Sequence, residues 1–379
     1  MKIKSIRRGS AKKDIRRRMG FRLASAAGGI TVMIAAMSAF AYVKLRKEFG
    51  RGKYPDRRFS NQNRFYPDYS DSHERIEVSF MSGKNTLHGY IYGMENAEPK
   101  GLLVFAHGIT VGHESYINQL MWFADHGWRV FAYDATGSCT SEGKGTRGLV
   151  QSALDLDKAL SYAETDERLK DLPVYLLGHS WGGYAVCAVL NFDHEVKAAA
   201  SMSGYAYPIK MLQLGTEQDI GKTAAKLFSP YLKGYNLSVS GKYSKLNAVD
   251  GVNKRDIPVL IIHGENDDFV DFDRVSIYSQ RYSITNPNAE YLVLTGRYAD
   301  HLNFFKCDEA NDYLQGFYHQ RDALAEKYGG MDKIPGDELE KLVKSYDKRM
   351  INTINTELLE DIERFYLKAA DGGEPAANE

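Results

Sequence analysis

The chain has 379 residues, 43% of them hydrophobic, with 49 basic and 49 acidic side chains and a formal net charge of zero. That length and apolar content allow one large domain or two ordinary ones with a sizeable core, and exclude global disorder, a collagen-like repeat and a multi-span membrane protein. The neutrality averages two unlike parts: residues 1–58 hold 17 of the basic residues against Asp14, Glu48 and Asp56, which leaves 32 basic and 46 acidic residues for everything after them.

Ten Lys/Arg fall in the basic segment 1–22, and Leu23 to Val43 is then a run of 21 residues without a charge. As a helix rising about 1.5 Å per residue it just crosses a hydrocarbon core of roughly 30 Å. Seven alanines, Gly28, Gly29 and three hydroxyl residues dilute its larger apolar side chains. Ten basic residues before the run against seven after it place the N-terminus in the cytoplasm and the body outside, at the cell membrane, by the positive-inside rule. The leading expectation is therefore a single-pass signal anchor over 23–43. Two alternatives stay open: a signal peptide cleaved near Ala41, at Ala39-Phe40-Ala41, which would release a secreted protein, and an amphipathic or buried helix of a soluble one. Nucleic acid is not an expected partner, because the basic residues flank an apolar run and form no aromatic-studded basic fold. Residues 44–74, punctuated by Gly50, Gly52, Pro55 and Pro67, read as a linker or loosely packed strap. Residues 368–379 read as a tail.

The body, 75–367, alternates strands and helices. Arg75 to Phe80 and Leu87 to Tyr92 predict a hairpin around Ser82-Gly83-Lys84-Asn85. Six further strands follow: 102–105, 129–133, 174–177, 198–202, 259–262 and 291–294, most of them apolar at successive positions, as strands covered on both faces are. Leu149, Ala153, Leu156 and Leu160 have helical spacing between two of them. The expected fold class is α/β: a mostly parallel eight-stranded sheet wrapped by helices and opened by an antiparallel hairpin. Residues 204–256 fall outside the alternation as a Tyr-rich cap insertion, and 302–367 predict two or three packing helices at the C-terminus.

Chemistry concentrates in Gly178-His179-Ser180-Trp181-Gly182-Gly183, directly after one apolar strand and before a helical segment. A nucleophile on such an elbow sits in a strained turn, so small residues two positions either side let strand and helix approach. The helix that starts there favours the negative charge developed in acyl transfer. Ser180 is the candidate nucleophile. It needs a base, and the base needs a carboxylate. The acid is expected after the seventh strand, in His263-Gly264-Glu265-Asn266-Asp267-Asp268-Phe269-Val270, which resembles the HGxxDxxV loop of many such enzymes and whose register selects Asp267; Asp268 and Asp271 remain alternatives. The base is expected after the eighth strand, where Gly296-Arg297-Tyr298-Ala299-Asp300-His301 offers His301. His263, His194 and His319 have structural explanations. The oxyanion needs two backbone donors, expected at Trp181 and at Ile109 in Phe105-Ala106-His107-Gly108-Ile109-Thr110, with His107 holding that loop. The three cysteines, Cys139, Cys187 and Cys307, lack the spacing of a disulfide framework or a metal site.

On these residues the chain resembles the α/β-hydrolase superfamily and, within it, the serine aminopeptidase and monoacylglycerol-lipase-like branch, over roughly 75–305. Asp134, Gly137, Ser141 and Gly143 match the branch's D-x-x-G-x-G-x-S-x-G loop; Cys139 stands where glycine is usual and Thr136 where arginine is common. The resemblance implies a serine hydrolase acting through an acyl-enzyme, with no metal or organic cofactor. Its substrate would be a small-molecule or peptide acyl compound: an ester first, with peptidase, aminopeptidase or thioesterase action as alternatives and a non-catalytic binding module as a remote one. Oligomeric state is not legible.

Overall fold

The computed structural model describes residues 8–60 and 63–371 of the chain. Eight strands form one sheet: β1 (Ile76–Ser82), β2 (Asn85–Tyr92), β3 (Leu102–Ala106), β4 (Arg129–Tyr133), β5 (Val174–His179), β6 (Ala198–Met202), β7 (Val259–Gly264) and β8 (Ala289–Leu294). Their spatial order is β1-β2-β4-β3-β5-β6-β7-β8. The hairpin pairs antiparallel, Ser82 opposite Asn85, and β2 runs antiparallel to β4. Every later pairing is parallel. β3 to β7 are buried at every position or nearly so, which is why their sequences are continuous apolar runs with no alternation.

The helices are α1 (Arg8–Glu48), α2 (Ile117–Asp125), α3 (Gln151–Ala163), α4 (Trp181–Ala188), α5 (Pro208–Ile220), α6 (Lys222–Ser240), α7 (Ala248–Lys254), α8 (Asp308–Tyr328), α9 (Gly336–Ser345), α10 (Lys348–Ile351) and α11 (Thr356–Ala370). α3, α4 and α7 bury their apolar faces on one side of the sheet, in a cluster that includes Leu156, Val186 and Val252. α2 and α11 cover the other side, around Phe123, Trp128 and Tyr366. Tyr366 is fully buried and its hydroxyl donates to the Leu176 carbonyl at 2.7 Å, fixing α11 over the central strand. The stretch between β6 and β7 holds α5 and α6, which pack against each other, and α7, which returns to the sheet. The C-terminal region holds four helices where two or three were expected. α8, α9 and α10 wrap a small core of their own, Leu314, Phe317, Leu342, Val343 and Ile351, which is too short-range a pattern to separate from ordinary amphipathic helix in sequence.

The stretch 23–43 lies inside α1, continuous from Arg8 to Glu48. The side chains of residues 23, 24, 26, 27, 30, 31, 33 and 41 are outside the described set, and among the described residues no helix is long and apolar enough to cross a membrane. The last turns of α1 meet α6, with Phe40 edge-on to Phe228 and Phe49 stacked on Tyr235. Beyond them the chain crosses the loop that follows β4. The Gly52 amide donates to Gly137 O at 2.9 Å and the Gly52 carbonyl accepts from the Cys139 amide at 3.0 Å. The Arg51 guanidinium donates to the carbonyls of Cys139, Ser141 and Gly143 at 2.6 to 2.8 Å. Tyr54 completes the seam by donating to the buried Asp134 carboxylate.

Candidate active site

β5 ends in a turn that the backbone must strain to make. Ser180 has φ 57° and ψ −111°, a region that costs a non-glycine residue of order 1–3 kcal/mol and persists only where surrounding structure enforces it. Enforcement comes from the small residues expected there. A Cβ on Gly178 would lie 2.3 Å from the Gly182 carbonyl oxygen, and one on Gly182 only 1.9 Å from that of Ala106. α4 starts immediately at Trp181, so the hydroxyl stands at a helix N-terminus.

Two loops bring partners to it. The turn after β7 carries Asp267, and the loop after β8 carries His301. They are stitched together by the Glu265 amide to Leu294 O, the Asn266 amide to Ala299 O and the Gly296 amide to Glu265 Oε1. Gly264 permits this approach, since a Cβ there would meet Ala299 O at 2.3 Å. The result is a continuous chain: His301 Nε2 is 3.0 Å from Ser180 Oγ, and His301 Nδ1 is 2.7 Å from Asp267 Oδ2. With the Nδ1 proton directed to the carboxylate, Nε2 is left as the acceptor for the serine proton. Asp267 Oδ1 accepts the Phe269 and Val270 amides at 3.0 and 2.8 Å. Burial pushes its pKa up, but the His263 and His301 hydrogen bonds and charges outweigh that and hold the carboxyl well below its ordinary range. Of the alternatives, Asp271 Oδ1 accepts the amides of Asp273 and Arg274 in its own turn, and neither it nor Asp268 reaches His301. The structure brings Ser180, Asp267 and His301 together in the order expected.

The loop after β3 closes the other side. His107 accepts the Ala135 amide at Nε2 and donates from Nδ1 to Gly108 O, so it holds the loop as anticipated, and burial depresses its pKa. Ile109, Ser180 and Trp181 line one cavity, and among the described residues neither the Ile109 nor the Trp181 amide donates to a protein acceptor. Amides left unused beside a nucleophile are what an oxyanion site requires.

Two residues that sequence reasoning passed over join these pieces. The Gly108 amide donates to Tyr116 Oη at 3.2 Å, Tyr116 Oη donates to His179 Nδ1 at 2.8 Å, and His179 Nε2 donates to the His301 carbonyl at 2.9 Å. One buried relay thus links the loop after β3, the end of β5 and the loop after β8. Burial, then the neighbouring His301, drives the His179 pKa far down, so its ring is neutral and each nitrogen has one fixed role. His179 was visible only as the variable residue of the elbow motif, and nothing in the sequence around Tyr116 ties it to that motif 63 residues later.

Around Asp134 the two departures from the loop pattern that the sequence resembles find local reasons. Cys139 has φ +42°, the left-handed conformation that explains why glycine is usual there. Thr136 gives its amide and hydroxyl to the buried Asp155, which also takes Ser82 and Gln151.

The cavity at Ser180 has a volume of about 460 Å³, within the range of ligand pockets. Its walls are mainly apolar, from Trp181 and Tyr205 at the sheet, Leu212 and Leu232 on the helices after β6, and Phe269 beside His301.

In comparisons with known proteins, residues 97–247 match the family model described as serine aminopeptidase, S33. No curated protein matches the chain in sequence. Among solved structures, the chain is similar to an esterase of Pyrococcus furiosus, at 16% identity over 78% of this chain and 97% of that one, with a TM-score of 0.50. It is similar also to Est1E of Butyrivibrio proteoclasticus with ferulic acid bound, at 18% identity over 59% of this chain and 90% of that one, with a TM-score of 0.46. An acylaminoacyl peptidase of Pyrococcus horikoshii is 18% identical over 62% of this chain and 39% of its own, with a TM-score of 0.46. Identities this low speak to fold alone. The fold is that of the α/β-hydrolases.

Proposed function

We propose that the protein is a serine hydrolase of carboxylic esters, tethered to a membrane through residues 23–43. The observation that carries the reading is the hydrogen-bonded chain from Ser180 through His301 to Asp267 at the foot of a mainly apolar cavity. In the forward step His301 Nε2 takes the Ser180 proton as Oγ attacks the acyl carbon. Charge moves to the carbonyl oxygen, which faces the Ile109 and Trp181 amides, while Asp267 stabilises the imidazolium. Collapse of the tetrahedral adduct breaks the bond to the leaving alcohol, which receives the proton from His301. Water, deprotonated by His301, then attacks the acyl-enzyme by the same path and frees the acid and Ser180. A pocket lined mostly by hydrocarbon, in which Lys44 is already paired with Asp219 at 2.8 Å, supports an ester of an apolar acid.

The tether is supported by the charge-free run, by the basic residues on both sides of it, and by exposed apolar side chains along α1, among them Phe21, Val32, Ile34 and Val43. Hydrolysis of p-nitrophenyl esters is expected to exceed that of aminoacyl-nitroanilides by at least tenfold in kcat/KM; preference for the anilides would replace the esterase reading with a peptidase. Protease added to intact cells is expected to digest the body, and complete protection would contradict an external catalytic domain.

A further inference from the structure

The C-terminal end of α1 does more than lead into the domain. Phe40, Lys44, Leu45 and Glu48 recur at helical spacing, Phe49 follows directly after the helix, and all five line the cavity that holds Ser180. Leu45 and Phe49 are 8% exposed and belong to the main core cluster, whereas Val43 on the same helix is 66% exposed. One stripe of α1 is therefore committed to the catalytic body. Its seat is fixed on three sides. Phe40 meets Phe228 and Phe49 stacks on Tyr235, both on α6. Lys44 Nζ is 2.8 Å from Asp219 Oδ2 at the end of α5, a contact across the cavity rim. The Phe49 carbonyl accepts the Thr146 amide at 3.0 Å, and Gly145 beneath it has no room for a side chain, its Cβ position being 2.2 Å from Phe49 O. The Arg51 and Gly52 seam follows at once, so α1 cannot tilt away without breaking hydrogen bonds to the loop after β4.

We infer that the last three turns of α1 form the selectivity wall of the acyl pocket. On this view the protein takes esters with extended apolar acyl chains, and Leu45 and Phe49, not the sheet residues, set the longest chain accepted. This rests on the serine-hydrolase reading of Ser180. Leu212, Leu232 and Trp181 on the remaining walls are apolar as well, while the polar groups of the lining include Lys44 and Asp219, paired at the rim, so a chain leaving the serine meets mostly hydrocarbon once α1 is in place. Without the α1 stripe that cavity would be an open groove, and the apolar surface of Leu232 and Tyr235 would face water.

The test uses the full-length protein in detergent and p-nitrophenyl esters from acetyl to palmitoyl. Leu45→Trp fills the pocket from the α1 side, Phe49→Ala lengthens it, Phe40→Ala trims a ring that is already 60% exposed and so carries little folding risk, and Val43→Trp alters the outward face. Each variant's long-chain turnover is read as a ratio to its own acetate turnover, and only Val43→Trp, which lies outside the pocket, is expected to keep wild-type acetate hydrolysis. Leu45→Trp is expected to lose roughly tenfold or more in kcat/KM on chains beyond octanoyl, while Phe49→Ala and Phe40→Ala shift the optimum towards longer chains and Val43→Trp leaves the profile unchanged. If all four variants keep the wild-type ratio of long-chain to acetate turnover, the wall assignment is overturned and the hydrolase reading stands. If wild type turns over no ester and takes no fluorophosphonate, the hydrolase reading falls and takes the inference with it.

Discussion

At the scale of single residues, the site is a set of protons with only one place to go. His301 gives its Nδ1 proton to Asp267 and keeps Nε2 for Ser180, and the relay from Gly108 through Tyr116 and His179 returns to the His301 backbone with a fixed direction at each step. Tyr116 is the joint that can be removed most cleanly. Tyr116→Phe keeps the ring buried against Phe105 and Phe305 but deletes the hydroxyl that accepts from Gly108 and donates to His179. Losing such a buried pair costs about 1–2 kcal/mol, so kcat should fall roughly tenfold with KM nearly unchanged. A kcat equal to wild type in steady-state ester hydrolysis would show that the relay does not position the base. The hydrogen-bonded set Ser180, His301 and Asp267 was legible because the proposed chemistry dictates residue types at sequence-visible landmarks: a serine between small residues, an aspartate after one strand, a histidine after the last. Tyr116 and His179 were not, because their roles exist only through contacts between segments far apart in sequence.

At the scale of elements, strands were read almost to the residue where burial on both faces makes them continuously apolar, as in β4 and β6. The segment 44–74 was harder. Its Gly, Pro and Asn content suggests a loose connector, yet Arg51, Gly52 and Tyr54 are hydrogen-bonded to the loop after β4, partly through backbone groups that leave no trace in composition. Asp134 is the centre of that loop, accepting from Tyr54, Thr140 and the His113 amide. Burial pushes its pKa up, but the His113 charge and hydrogen bond, with His107 and Thr140, dominate and hold it well below the ordinary value of 3.8. A carboxyl depressed in the folded state contributes stability that is present above the unfolded pKa, about 4, and is lost as pH falls through the folded one. Asp134→Asn is therefore expected to lower Tm at pH 7, and the gap to wild type to begin narrowing as pH falls below about 4 and to close only towards the depressed folded-state pKa. A Tm difference as large at pH 3 as at pH 7 would contradict this assignment of charge.

At the scale of the whole molecule, the even charge balance conceals a basic, apolar helix attached to an acidic α/β body. The two halves meet at Phe40 to Tyr54, where one stripe of α1 enters the cavity and the following strap locks onto the loop after β4. That meeting was illegible in sequence, because the same residues read equally well as the end of a span and the start of a linker. It makes the proposed anchor and the proposed active site one mechanical unit. Everything rests on Ser180 being a nucleophile activated by His301. The most direct measurement is the intact mass of the full-length protein after a fluorophosphonate, followed by peptide mapping. One adduct is predicted, on Ser180 alone, and none in Ser180→Ala or His301→Ala. An unmodified wild-type protein, or an adduct that persists in Ser180→Ala, would contradict the account.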